Sequence, residues 1–189
     1  PLQAPAAVGA PFDVPVHATT NANVYTSRVV TTPDVMYPVQ CIMGDLHERY
    51  VQVVLSALFR QATFATANGT APPGVAILRL ISVSNVHHVG KGFATREITD
   101  RIVAEWGLFD PAGQLVYPFT FRGTATSNSG MGKAYSARGR ERTGRAHQDL
   151  LDNTVRGFAA SAQLQRFNRI APLYLDPAQR LANGELLIR

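Results

Sequence analysis

Residues 98–125 carry the pattern that most restricts how this chain can fold. The even positions of the first half are Ile98, Asp100, Ile102, Ala104, Trp106 and Leu108, and the odd positions of the second are Leu115, Tyr117, Phe119, Phe121, Gly123 and Ala125. Side chains on a β-strand alternate between faces, so each half is a strand with one face that is apolar except at Asp100. Asp110-Pro111-Ala112-Gly113 lies between them and supplies turn chemistry, making the two halves an antiparallel hairpin. An apolar sheet face needs a cover, and amphipathic helices are the usual one.

Two such helices can be read. From Asp45 onward, Leu46, Tyr50, Val53, Val54, Ala57 and Leu58 fall on one helical stripe, Asp45 with Glu48 resembles a capping box, and Asn68-Gly69 predicts an end near 64–67. Leu151, Val155, Phe158 and Ala162 define a second stripe, in a helix that should begin near 143–146 and end around Phe167; Asp149 and Asp152 would complement the dipole at its start. Residues 75–86, VAILRLISVSNV, follow a Pro72-Pro73-Gly74 break and read as a strand with a buried first half that runs out at 87–90, and 24–30 reads as a further short strand. The expected architecture is α+β, an antiparallel sheet of three to four strands with two amphipathic helices packed on one face. Trp106, Tyr117, Phe119 and Phe121 should meet Leu58, Val155 and Phe158. Residues 1–23, with prolines at 1, 5, 11 and 15, read as a flexible Pro/Ala-rich lead, 24–170 as a single domain, and 171–189 as a C-terminal extension whose Glu185-Leu186-Leu187-Ile188 either adds an edge strand or docks a partner.

Composition narrows the function. At 189 residues with 46% apolar, the chain can build one core. No run approaches the roughly 18 apolar residues of a membrane-spanning helix. Cys41 is the single cysteine, which excludes an intramolecular disulfide and a multi-cysteine metal site and reads as a small apolar residue ahead of the first helix. The net charge is +5, and of the 18 Lys and Arg residues only Lys91 and Lys133 are lysines. Arginine suits carboxylate or phosphate partners, although a coding bias toward arginine explains the excess equally well.

The cations concentrate in 127–145, SNSGMGKAYSARGRERTGR, a Gly/Ser/Arg-rich stretch that reads as a long exposed loop. Lys133, Arg138, Arg140, Arg142 and Arg145, relieved only by Glu141, form a candidate anion-binding or partner-binding site, with a solvated loop of no specific partner as the alternative. Tyr135 is the one aromatic among them, so the stacking platform of a single-strand binder is missing and nucleic acid is not the expected partner. Gly130-Met131-Gly132-Lys133 fails as a phosphate loop, because Ser127 stands where the leading glycine belongs and Ala134 where a magnesium-binding hydroxyl belongs. His87 and His88 are adjacent and would point to opposite sheet faces, and His47-Glu48 lacks a second histidine, since position 51 is Val51. There is no Gly-x-Ser-x-Gly, and no convergent set of titratable groups can be named. No catalytic residue, metal or cofactor is therefore expected, and the chain reads as a non-enzyme.

The stretches TDRIVAEWGLFDPAGQLVYPFTFRGTATS and DLLDNTVRGFAASAQLQRF, within about 45–167, resemble small bacterial envelope lipoproteins. The resemblance implies a periplasmic domain held at the outer membrane by an acylated cysteine upstream of Pro1, with the Pro/Ala segment as spacer; the cytoplasm is the alternative compartment. It also implies a scaffold or accessory role with other envelope proteins, in a multi-subunit or homo-oligomeric assembly, and carries over no catalytic residue. The competing expectation is a binder of anionic ligands, nucleic acid or lipid headgroups, through 133–145.

Overall fold

A computed structural model describes residues 2, 3, 5, 12–25, 29–31, 44–65, 75–90, 96–129 and 134–175. The elements are β1 Val16–Thr20, α1 Ala22–Tyr25, β2 Val29–Thr31, α2 Gly44–Leu58, β3 Ala62–Ala65, β4 Ala76–Val89, β5 Arg96–Phe109, β6 Leu115–Ser129, α3 Ala134–Ala160 and α4 Ala162–Leu175. The hairpin forms as its alternation requires: Trp106 pairs with Phe119, Leu108 with Tyr117, Ala104 with Phe121 and Ile102 with Gly123, all on one face. At its turn Gly113 donates to the Asp110 carbonyl at 2.9 Å, and the Asp110 carboxylate accepts from the amides of Ala112 and Gln114. Gly113 adopts φ 83°, a left-handed conformation that a residue with a side chain reaches only with strain.

The fold class α+β holds, but the sheet is larger and mixed. Its strand order is β3-β1-β4-β5-β6, with the short β2 pairing β4 beyond the end of β1. β1 runs parallel to β3 and β4, β2 runs parallel to β4, and only β4-β5-β6 is antiparallel. The expected three to four antiparallel strands are thus corrected. The extra strands β1 and β3 were missed because each has five residues or fewer and is held by parallel pairing, which leaves no hairpin signal. In the lead read as a flexible tether, Val16–Thr20 is β1, buried at every position and flanked on both sides. Strands buried on both faces show no alternation, so VHATT gives none. Of the segment 24–30 read as a strand, Val24 and Tyr25 belong to a helical turn, and the strand begins at Val29.

The helix from Gly44 ends at Leu58, earlier than expected, because β3 follows within four residues. Its Tyr50, Val51, Val54, Leu55 and Leu58 are buried, facing Leu150, Leu151, Val155 and Phe158 of α3 and the hairpin's apolar face in one core. Phe158 meets Trp106, Phe119 and Phe121 with ring centroids 5.7, 5.0 and 4.7 Å away, all near edge-on. This is the contact the hairpin's pattern demanded. One hydrogen-bonded chain crosses that core: the Trp106 indole donates to the Tyr50 hydroxyl at 3.0 Å, Tyr50 meets Thr154 at 2.6 Å, and Thr154 donates to the Leu150 carbonyl at 2.8 Å.

The segment expected to be an exposed loop is instead the end of β6, through Ser129, and the first half of α3, from Ala134. Asp149 and Asp152 consequently lie mid-helix and not at a dipole terminus. Ser161 interrupts the helical run predicted to reach Phe167: its amide donates to the Phe158 carbonyl and its hydroxyl accepts from the Leu164 amide, capping α4. Gly144, in the middle of α3, has nothing within 4 Å of where a Cβ would stand. Gly144→Ala should therefore raise the free energy of unfolding by about 0.5–1 kcal/mol through helix propensity alone, read as a shift of the urea midpoint at unchanged slope.

Candidate functional site

Polar chemistry gathers at the end of the sheet, beyond the apolar core. A β-bulge between Leu80 and Ser82 of β4 inserts one residue against β5. Inward positions are Ala76, Leu78 and Leu80 before it, and Val83, Asn85 and His87 after it. The bulge is what turns His87 into the interior and His88 to solvent, on opposite faces as their adjacency implied.

His87 lies opposite Asp100 in the β4–β5 register, on the face that α3 covers. Its Nδ1 stands 2.6 Å from Asp100 Oδ1, Thr143 donates its hydroxyl to Asp100 Oδ2 at 2.7 Å, and Arg142 Nε is 3.1 Å from the same oxygen. Arg142 also donates to the Ser127 hydroxyl at 3.1 Å. The short approach makes Nδ1 of His87 the protonated nitrogen, with the carboxylate as acceptor. Burial raises the Asp100 pKa, but the hydrogen bonds from His87 and Thr143 and the charges of Arg142 and His87 outweigh it, so the group lies below the usual carboxylate range.

One turn further along α3, His147 faces His47 of α2, with ring centroids 5.6 Å apart. Nδ1 of His147 is 2.9 Å from the Thr143 carbonyl, and Nδ1 of His47 is 3.2 Å from the Val24 carbonyl. A carbonyl only accepts, so each ring carries its hydrogen at Nδ1. Burial pushes the His147 pKa down to about 4, with His47 adding to the effect, while the Thr143 carbonyl and Asp100 oppose it. Burial also lowers His47, against the Val24 carbonyl.

The expectation that no titratable groups converge is therefore corrected: His47, His87, Asp100, Arg142 and His147 come together from two strands and two helices. All five are buried, Asp100 at 1% exposure and His147 at 0%. No group of three or more His, Cys, Asp or Glu residues among the described residues could hold a metal ion.

The arginine cluster is divided by the same geometry. Arg142, at 2% exposure, is committed to Asp100, whereas Arg140 and Arg145 are exposed. Arg138 has its backbone in α3 with its side chain outside the described residues, and Lys133 and Cys41 lie outside them altogether, as do residues 176–189 and the Asp45 side chain of the proposed capping box. Sequence reasoning missed the inward role of Arg142. The available signal was its spacing of one residue before Thr143 and five before His147, three polar side chains in a stretch without an apolar stripe.

Among the described residues no helix covers the opposite face of β4, β5 and β6. Val86, His88, Arg101, Glu105, Thr120 and Thr126 are among its exposed side chains, with Val86 at 44% and Leu115 at 50% its exposed large apolar members; Leu115, expected on the hairpin's apolar face, lies on this one because the register shifts between Leu108 and Phe109. The sheet's outer edge at β6 is occupied by its own helix: the Asp149 carboxylate accepts from the Thr124 amide at 2.8 Å, Asn153 donates to the Arg122 carbonyl at 2.8 Å, and Arg145 reaches the Thr126 carbonyl at 3.4 Å. Pro118, on that same strand, has no amide hydrogen to offer a neighbour. Groups that would otherwise pair with a neighbouring strand are thus already bonded.

Solved structures similar to this chain include bacterial lipoproteins. A minor lipoprotein from Acinetobacter baumannii shares 15% identity over 76% of this chain and 92% of its own, at a TM-score of 0.49. Rare lipoprotein B from Shewanella oneidensis shares 14% over 77% of this chain and 94% of its own, at 0.47. A comparison with protein-family models finds no match, and neither does one with curated sequences. Among the described residues no helix is long and apolar enough to cross a membrane.

Proposed function

We propose that the chain is a bacterial cell-envelope protein, periplasmic and associated with the outer membrane, that works as a non-catalytic scaffold or accessory subunit by binding other envelope proteins. One observation carries the reading. The titratable groups that converge are closed off in the interior, while the broad polar face of β4, β5 and β6 is open to solvent. A substrate reaches no member of the His87–Asp100–Arg142 set without unfolding the cover, whereas a partner meets the sheet face directly.

The competing anionic-ligand reading keeps Arg140 and Arg145 as exposed cations, but Arg142 is held by a buried carboxylate. These two, the exposed cations of the cluster among the described residues, give by themselves a weak and salt-sensitive attraction. A photo-crosslinking residue placed at Thr120 or Arg101, in the full chain expressed in a bacterial envelope, should yield a discrete adduct with an envelope protein, while one at Arg156 on the exposed side of α3 should not. Equal labelling from both faces, or adducts with nucleic acid or lipid alone, would refute the protein-docking reading.

A further inference from the structure

The seam between α2 and α3 contains a feature that partner binding does not use. His147 is fully buried, and among the described residues its Nε2 has no hydrogen-bond partner. Its Nδ1 hydrogen already goes to the Thr143 carbonyl, so the next proton enters at Nε2. That would create a buried charge and a buried donor for which no hydrogen-bonded acceptor is in place among the described residues, both costly. The charged and titratable groups around it offer little relief. From α2 comes His47, itself a base, and its ring stands 5.6 Å from that of His147. From its own helix comes Arg142, a cation. From β4 comes His87, bonded to Asp100. Asp100 on β5 is the anion that acts on it among the described residues, and it is already bonded by His87 and Thr143 and paired with Arg142. Glu48 and Arg49, the charged residues of α2 beside His47 whose side chains are described, are half-buried and exposed respectively, and Glu48 accepts from Gln52; the Asp45 side chain lies outside the described residues.

We propose that His147, set against His47 between α2 and α3, is an acid-responsive latch: on taking up a proton it releases α2 from α3 while the β5–β6 hairpin stays folded. The hairpin is spared because β5 and β6 are joined along their length by their own antiparallel ladder, with one irregularity between Leu108 and Phe109, whereas α2 is held mainly by α3, α1 and the short strands β1 and β3 and meets the hairpin through Tyr50, whose hydroxyl accepts from Trp106. The direction follows from linkage. The unfolded or opened ring titrates near its ordinary value and the closed one near 4, so the open form binds the proton first and closure weakens as pH falls from about 6.5 to about 4.

Amide hydrogen exchange of the full chain at pH 7 and pH 5, corrected for intrinsic rates, tests this. Opening of 44–58 and of 134–160 should increase on the order of tenfold at the lower pH, while the β5–β6 amides change little. His147→Phe, which removes the titratable nitrogen and keeps a planar ring, should abolish the increase; if that variant does not fold, His147→Asn keeps a donor for the Thr143 carbonyl and should do the same. An increase that persists in the folded variant, one spread equally over the hairpin, or none in the wild-type chain, would overturn the latch. So would a nuclear magnetic resonance titration that places the His147 midpoint near 6.5.

Discussion

Asp100→Ala should destabilise the protein by about 3–5 kcal/mol, because it leaves the buried Arg142 guanidinium without its carboxylate and removes the acceptor for His87 and Thr143. Urea unfolding at pH 7 gives the value directly. A buried ion pair is fragile in this asymmetric way: breaking it costs far more than replacing both members. Asp100→Leu combined with Arg142→Met should accordingly recover most of the loss, and a double variant as unstable as Asp100→Ala would show that the cost lies in lost packing and not in an uncompensated charge. Acid adds a second check. Burial opposes ionisation of Asp100, but its donors and cations hold the folded pKa below the unfolded one, so the unfolded chain takes up the proton first. Its contribution is complete above the ordinary carboxylate value near 3.9 and is lost as pH falls through the lower folded value, beneath the window in which His147 titrates.

Gly123→Ala is expected to cost about 3 kcal/mol or more, at the upper end of what overpacking usually does. An added Cβ would collide with the Ala146 carbonyl oxygen and with the backbone nitrogen and Cβ of Leu150. Those atoms belong to the helix backbone, so no rotamer change relieves them, and α3 must lift from β6. Lifting it also pulls Asp149 and Asn153 away from the Thr124 amide and the Arg122 carbonyl, which reopens the strand edge. The variant should therefore lose stability in a thermal melt and associate at high concentration in sedimentation. Stability within about 0.5 kcal/mol of the parent would mean the helix is not seated as closely as described.

How much of this could be read in advance depended on range. The hairpin, the α2 stripe and the Phe158 contact are local periodicities, and each strand or helix turn reports its own buried face. The first half of α3 left no such trace. Arg140, Arg142, Thr143 and Arg145 look like a solvated loop, and Gly139 and Gly144 discourage a helix. What secures that segment is polar: Arg142 and Thr143 bond to Asp100 and Ser127, residues 15 or more positions away. A carboxylate placed at Asp100 on an otherwise apolar face was the one visible anomaly, and its partners lay on two other elements.

The order of residues alone determined the hairpin, its turn at Gly113, the strand after Pro73 and the two apolar helix stripes, because a repeat of two or 3.6 residues is a property of neighbouring positions. Only the tertiary structure decided that Val16–Thr20 enters the sheet between β3 and β4, that a bulge at Ile81 turns His87 inward, and that Arg142 is an interior residue and not a surface cation. Parallel pairing, a one-residue change of strand parity and the neutralisation of a buried charge all depend on chain segments far apart in sequence, and no local pattern encodes them.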